Sequence, residues 1–161
     1  MIEVIILNKF EELCQTASDT NVDIVNYSFS SSRIKGLYCN GNVAINNEID
    51  TDAERICVLA EELGHHVTTS GNILDQSSAS NRKQERIARM WAYNRLIGLR
   101  GIVDCYNAGC QNTYEMAETL NVTEDFLLEA LFCYKEKYGV YAQIDNYIVY
   151  FIPNIGVCEI R

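Results

Sequence analysis

The stretch Thr51-Asp52-Ala53-Glu54-Arg55-Ile56-Cys57-Val58-Leu59-Ala60-Glu61-Glu62-Leu63-Gly64-His65-His66-Val67 decides how the chain is read. Ile56, Leu59, Ala60, Leu63 and Val67 recur at the spacing of a helix that buries one apolar stripe. Asp50, Thr51 or Asp52 can cap it, and Glu54 places negative charge near the positive end of the helix dipole. Residues four apart on a helix share a face, one turn apart. Glu61 and His65 therefore point the same way, with Glu62 beside them.

Working outward, Phe10, Leu13, Cys14 and Ala17 mark a helix face over Lys9 to Ala17, and Asn21 to Phe29 alternates as a strand. Ser30-Ser31-Ser32 reads as a turn. Asn40-Gly41, a strong hairpin signal, joins Arg33–Cys39 to Asn42–Asn46. Downstream, the polar segment Thr68 to Ser80 with its Gly71-Asn72 pair reads as a loop. Asn81 to Leu99 is helical, with Ile87, Ala88, Trp91, Ala92 and Leu96 at helix spacing. A short helix over Gly101 to Ala108 ends at Gly109. Helices over Asn112 to Leu120 and Thr123 to Tyr138 flank an Asn121-Val122 turn, and Gly139 stops the second. Val140 to Cys158 reads as one or two strands, with Pro153 at a bend or an edge. The expected fold is α+β and mostly helical, with a small antiparallel sheet in the first third and C-terminal strands. It is read as one domain over 1–161, with a helix and sheet at 1–50, the motif helices at 51–99, further helices at 100–139 and strands at 140–161.

At 161 residues the chain is long enough for a real core. Its 48% hydrophobic and 22% charged residues are ordinary globular values. A net charge of −9 argues against direct DNA binding and against an anionic membrane surface, since both need cations. No run approaches the ~18 apolar residues of a membrane span. The leading Met1–Phe10 stretch lacks the basic region of a signal peptide and reads as a short strand or a helix entry. The seven cysteines are odd in number, with no C-x-x-C, and read as reduced thiols in a cytoplasmic protein.

Chemistry concentrates in Glu61-Glu62-Leu63-Gly64-His65-His66. In H-E-x-x-H metallopeptidases, side chains at i and i+4 hold Zn²⁺ and the Glu between them is the general base. Here the order is E-E-x-x-H: the second position keeps Glu62, the fifth keeps His65, and Glu61 stands at the first. Glu85, on the next helix, is placed to complete a three-ligand site with an open fourth position. Two other readings stay open. The acids and histidines can be an exposed helix face, with Glu61 paired to His65. Alternatively the register shifts, since Glu62 and His66 are also four apart, although Leu63 then falls at the base position. His66 is thus an alternate ligand, a hydrogen-bond donor to a developing oxyanion, or a surface group. Tyr93 is either an oxyanion partner or a packing residue.

Leu59-Ala60-Glu61-Glu62-Leu63-Gly64-His65-His66 followed by Glu85-x-x-Ala88-x-x-Trp91-Ala92 resembles the ImmA/IrrE family of metallopeptidases, whose pattern is H-E-[LI]-G-H and then E-x-x-A-x-x-aromatic-A. The resemblance runs from the hairpin to about Tyr138 and implies a zincin-like fold. It also implies a phage or mobile-element peptidase that cleaves a helix-turn-helix repressor. By position it makes Glu62 the catalytic base and Glu61, His65 and Glu85 the metal ligands. Glu61 for His adds a negative charge, leaving a bound Zn²⁺ formally neutral. That weakens its hold on the pKa of coordinated water and relaxes the preference for Zn²⁺ over Mn²⁺. The alternative is a degenerate site in a non-catalytic module that regulates such a repressor by contact.

Asn112 to Phe126 resembles a helix-turn-helix pair, with Ala117, Leu120, Val122 and Phe126 at packing positions and Thr123–Glu129 as the second helix. Its second helix offers Glu124, Asp125 and Glu129 where base edges and phosphates call for Arg or Lys, so it reads as a scaffold pair. There is no G-x-S-x-G and no phosphate-binding glycine loop. Cys57, beside the core stripe, reads as packing.

Overall fold

The structure, a computed structural model, describes residues 8–69 and 78–161. The leading residues 1–7 and the Gly71-Asn72 pair lie outside the described residues. The chain divides into two units, Met1–Arg89 and Met90–Arg161, with the division inside one helix.

In the first unit, α1 (Lys9–Asp19) starts on a capping box: Asn8 Oδ1 accepts from the Glu11 N–H at 3.0 Å, and Glu11 Oε2 accepts from the Asn8 N–H at 2.9 Å. Strands β1 (Asp23–Tyr27), β2 (Gly36–Cys39) and β3 (Asn42–Asn46) form a sheet in the order β1-β3-β2. The β2–β3 hairpin is antiparallel, as the sequence predicts. It turns on Asn40 (φ 47°) and Gly41 (φ 79°), the paired positive φ angles of a tight hairpin turn. The sheet is mixed, however, because β1 pairs parallel to β3. The hairpin fixes one neighbour of β3. Val43 and Ile45, both fully buried, make β3 the central strand, so β1 takes its other side.

Helix α2 (Asp52–Thr69) is capped by Thr51, whose Oγ1 accepts from the Glu54 N–H at 3.2 Å. Ile56, Leu59, Ala60 and Leu63 of its stripe are buried, and Val67 is half-buried. Each large aliphatic side chain buried this way contributes about 1.5–3 kcal/mol. Helix α3 (Ser78–Leu96) crosses close to α2: a Cβ built on Gly64 would stand 2.4 Å from the Ala88 carbonyl oxygen. Of the expected 68–80 loop, Thr68 and Thr69 lie inside α2 and 78–80 inside α3, while 70–77 lie outside the described residues. Ile87, placed on the apolar side of α3 by spacing, is exposed.

The second unit continues from Met90 of α3 through α4 (Gly98–Asn107), α5 (Thr113–Leu120) and α6 (Glu124–Tyr138). Asn112 and Thr123 cap α5 and α6, and Gly139 (φ 74°) ends α6. Ala117, Leu120, Val122 and Phe126 are buried, as their spacing predicts. The C-terminal segment forms three strands where one or two are expected: β4 (Tyr141–Ile144), β5 (Tyr147–Tyr150) and β6 (Gly156–Glu159), all antiparallel. Each is four residues long. A two-residue turn at Asp145 (φ 49°) and Asn146 separates the first two, without the glycine that usually marks such a turn. Pro153 lies in the β5–β6 connection. The architecture is α+β, consistent with a small zincin-like domain. Among the described residues no helix is long and apolar enough to cross a membrane.

Candidate active site

The expected base and metal ligands, Glu62 with Glu61, His65 and Glu85, and the alternate His66 belong to the first unit. An open cleft is lined on one side by residues 33–38, which run into β2, and on the other by Val58, Glu61, Glu62 and His65 of α2 with Glu85 and Arg89 of α3. The β2 wall is held from behind. Fully buried Asn46 donates from Nδ2 to the Ile34 carbonyl at 2.8 Å and accepts the Glu48 N–H on Oδ1 at 3.0 Å. Its own N–H donates to the Lys35 carbonyl.

Two small residues let the walls close on the carboxylates. A Cβ on Gly36 would stand 2.6 Å from Val58 Cγ1 and 2.9 Å from Glu62 Cγ, so only glycine lets β2 sit against Glu62. Gly64 and Ala88 do the same between α2 and α3. Because α3 touches α2 at Gly64, Glu85, one turn before Ala88, lands beside His65. The two side chains meet with His65 Nε2 3.2 Å from Glu85 Oε2. The other oxygen, Glu85 Oε1, accepts from Arg89 Nε at 2.8 Å.

Glu62 lies deeper. Burial pushes its carboxyl up to about 7, against the opposing hydrogen bond from the Tyr38 main-chain N–H; the neighbouring Glu61 and Glu85 carboxylates push it further up. A carboxyl near 7 is poised to take and return a proton at neutral pH. Glu61 lines the same cleft. His66 turns elsewhere: its Nδ1 is 2.8 Å from the Tyr38 hydroxyl, with the rings edge to face. Tyr93, in the second unit, is buried; its hydroxyl donates to Glu129 Oε2 at 3.0 Å and its ring packs on Phe126, the packing role. Cys57 is likewise buried.

The family model for peptidase M78, the IrrE N-terminal-like domain, matches residues 17–132, well over half of the chain. The chain belongs to the M78 peptidase family. Among curated proteins none matches it. The ImmA/IrrE resemblance of the chain is thus borne out. In this M78 chain the match takes in the first sheet, both motif helices, α4, α5 and the first part of α6.

M78 is a metallopeptidase family, so the cleft can be tested for a metal. Zinc ligands at roughly 2.0–2.2 Å in tetrahedral geometry stand about 3.3 Å apart. The 3.2 Å between His65 Nε2 and Glu85 Oε2 matches one such edge, and imidazole with carboxylate is a fitting donor set. As the side chains stand, no group of three His, Cys, Asp or Glu among the described residues could hold a metal ion. One edge of a ligand set is thus in place, and the described side chains as they stand do not complete it. Sequence spacing alone did not single out Tyr38, Gly36 or Arg89. Arg89 was legible in principle, four residues after Glu85; Tyr38 and Gly36 depend on where the hairpin packs.

Proposed function

We propose that this M78 chain is a zinc- or manganese-dependent endopeptidase that cleaves a helix-turn-helix repressor of a phage or mobile element. The observation that carries the reading is the His65–Glu85 contact between two helices, with the Glu62 carboxyl near 7 in the same cleft. His65 and Glu85 would hold the ion, with Glu61, one turn before His65 on the same face, as third ligand. The bound ion supplies Lewis-acid polarisation of the scissile carbonyl. Glu62 takes the proton of the attacking water and returns it to the leaving amine. Gly36 and the Tyr38 N–H keep its carboxylate at the cleft wall.

The repressor as substrate rests on the family resemblance and on charge. A DNA-binding repressor carries a basic surface, and this chain carries −9. The test is incubation of the purified chain with any helix-turn-helix protein that a neighbouring gene encodes. Cleavage that a chelator abolishes and Zn²⁺ or Mn²⁺ restores supports the reading; an intact partner under metal-replete conditions counts against it.

A second reading, a non-catalytic module that regulates the repressor by contact, is favoured by one observation. Glu85 already lies against two of the chain's own basic groups, Arg89 and His65, and Glu61 stands where the family has His. Repressor binding without cleavage or metal uptake would select it.

A further inference from the structure

The doubled pattern Glu61-Glu62…His65-His66 contains two interleaved i, i+4 pairs. Glu61 and His65 line the cleft with Glu85. The second pair meets a single residue of β2. The Tyr38 main-chain N–H bonds the Glu62 carboxylate, and the Tyr38 hydroxyl stands 2.8 Å from His66 Nδ1. The same hydroxyl oxygen accepts from the Gly41 N–H at 3.3 Å, at the hairpin turn. Tyr38 therefore ties together the turn, the C-terminal half of α2 and Glu62. A slide of β2 along α2 would break the His66 and Glu62 contacts together, while the Gly41 contact holds the phenol within its own hairpin.

We propose that Tyr38 and His66 form a latch that positions Glu62 by fixing the β2 edge against α2, which makes both of them positioning residues and takes His66 out of the ligand set. The inference rests on the reading of Glu62 as proton acceptor. It also fixes a tautomer. The phenol oxygen already accepts from Gly41, so the arrangement that uses each group once sends the phenol proton to His66 Nδ1. Nδ1 of His66 is then the acceptor in this contact. Loss of either ring group frees β2, and the Tyr38 N–H then leaves Glu62 more often.

The test uses the full chain, metal-free, at neutral pH, with ¹⁵N-imidazole spectra and amide exchange at residue 38. The latch predicts an unprotonated, hydrogen-bonded Nδ1 signal for His66 that shifts in Tyr38→Phe. It predicts amide exchange at residue 38 about fivefold faster in Tyr38→Phe and His66→Ala, the scale of one net hydrogen bond. His66→Gln, which keeps an acceptor for the phenol, should recover much of the protection. A protonated Nδ1 in the wild type, or exchange at residue 38 unchanged in both variants, overturns the latch. These readouts need no cleavage: a chain that passes them yet neither binds metal nor cleaves defeats the proposed function alone. A cleaving chain that fails them defeats the latch alone.

Discussion

His65 Nε2 stands 3.2 Å from Glu85 Oε2, and the contact is set by their neighbours Gly64 and Ala88, where α2 and α3 come within the reach of a single absent methyl group. The glycine and alanine of the motif are thus as much part of the site as the side chains that bear charge.

Gly64→Ala should show this. The added Cβ would meet the Ala88 carbonyl oxygen at 2.4 Å, and backbone cannot swing aside as a side chain can. The helices must part, at a cost of about 1–3 kcal/mol, typical of overpacking. A lowered thermal midpoint together with weaker metal binding is the expected outcome. An unchanged midpoint would mean that the helices are not in contact there.

Glu62→Gln keeps the size of the side chain and its acceptor for the Tyr38 N–H but cannot take a proton. Removing a general base typically lowers the rate by about 10²–10⁴-fold. Metal content should stay at the wild-type level while repressor cleavage falls by that order. Cleavage retained in Glu62→Gln would contradict the assignment.

The raised Glu62 carboxyl has a consequence for stability. Its ordinary value is 4.5 and burial pushes it to about 7, so between those values the folded chain binds more protons at this site than the unfolded chain does. Unfolding then releases protons, and stability falls as pH rises through that window. The contribution is complete below about 4.5 and lost above about 7. Glu62→Gln removes it. Thermal melts of metal-free protein should show the wild type losing stability relative to Glu62→Gln from pH 5 to 7. A difference that is flat with pH would count against a buried, raised carboxyl.

Much of this was legible in the sequence. The apolar stripe of α2, the Asn40-Gly41 turn and the cap at Thr51 are local signals, and local signals survive folding. The convergence of His65 and Glu85 was legible too, through spacing that lets the next helix return beside the first and through the family pattern that begins at Glu85; the Gly64–Ala88 approach that sets it was not. The parallel β1–β3 pairing was not, because which side of β3 stays open depends on the hairpin and not on β1. Three C-terminal strands were hard to separate where an Asp-Asn turn replaces a glycine turn. The Tyr38–His66 contact joins residues from two elements with no shared periodicity, and nothing in either segment announces it.

For the proposed repressor substrate, charge suggests how the two proteins meet. Attraction between an acidic peptidase and a basic repressor acts mainly on the association rate, and exposed charges are screened over about 8 Å at physiological salt. On α5 and α6, Glu115, Glu118, Glu124 and Asp125 are exposed; Glu115 and Glu124 also accept hydrogen bonds from Gln111 and Thr113. Association with the repressor should slow as salt rises, and reversing Glu118 and Asp125 should slow it further with metal content intact. A salt-independent rate, or a specific DNA shift by the chain alone, would speak against this role.

The central claim is that α2 and α3 together hold a metal ion through His65 and Glu85. Its most direct measurement is the metal retained per chain after zinc loading and gel filtration, compared across the wild type, Glu85→Ala, Glu61→Ala and His66→Ala. The account predicts stoichiometric metal in the wild type, a sharp loss in Glu85→Ala, a loss in Glu61→Ala, and little change in His66→Ala. A wild type without metal, equal occupancy in Glu85→Ala, or loss in His66→Ala with retention in Glu61→Ala would contradict it.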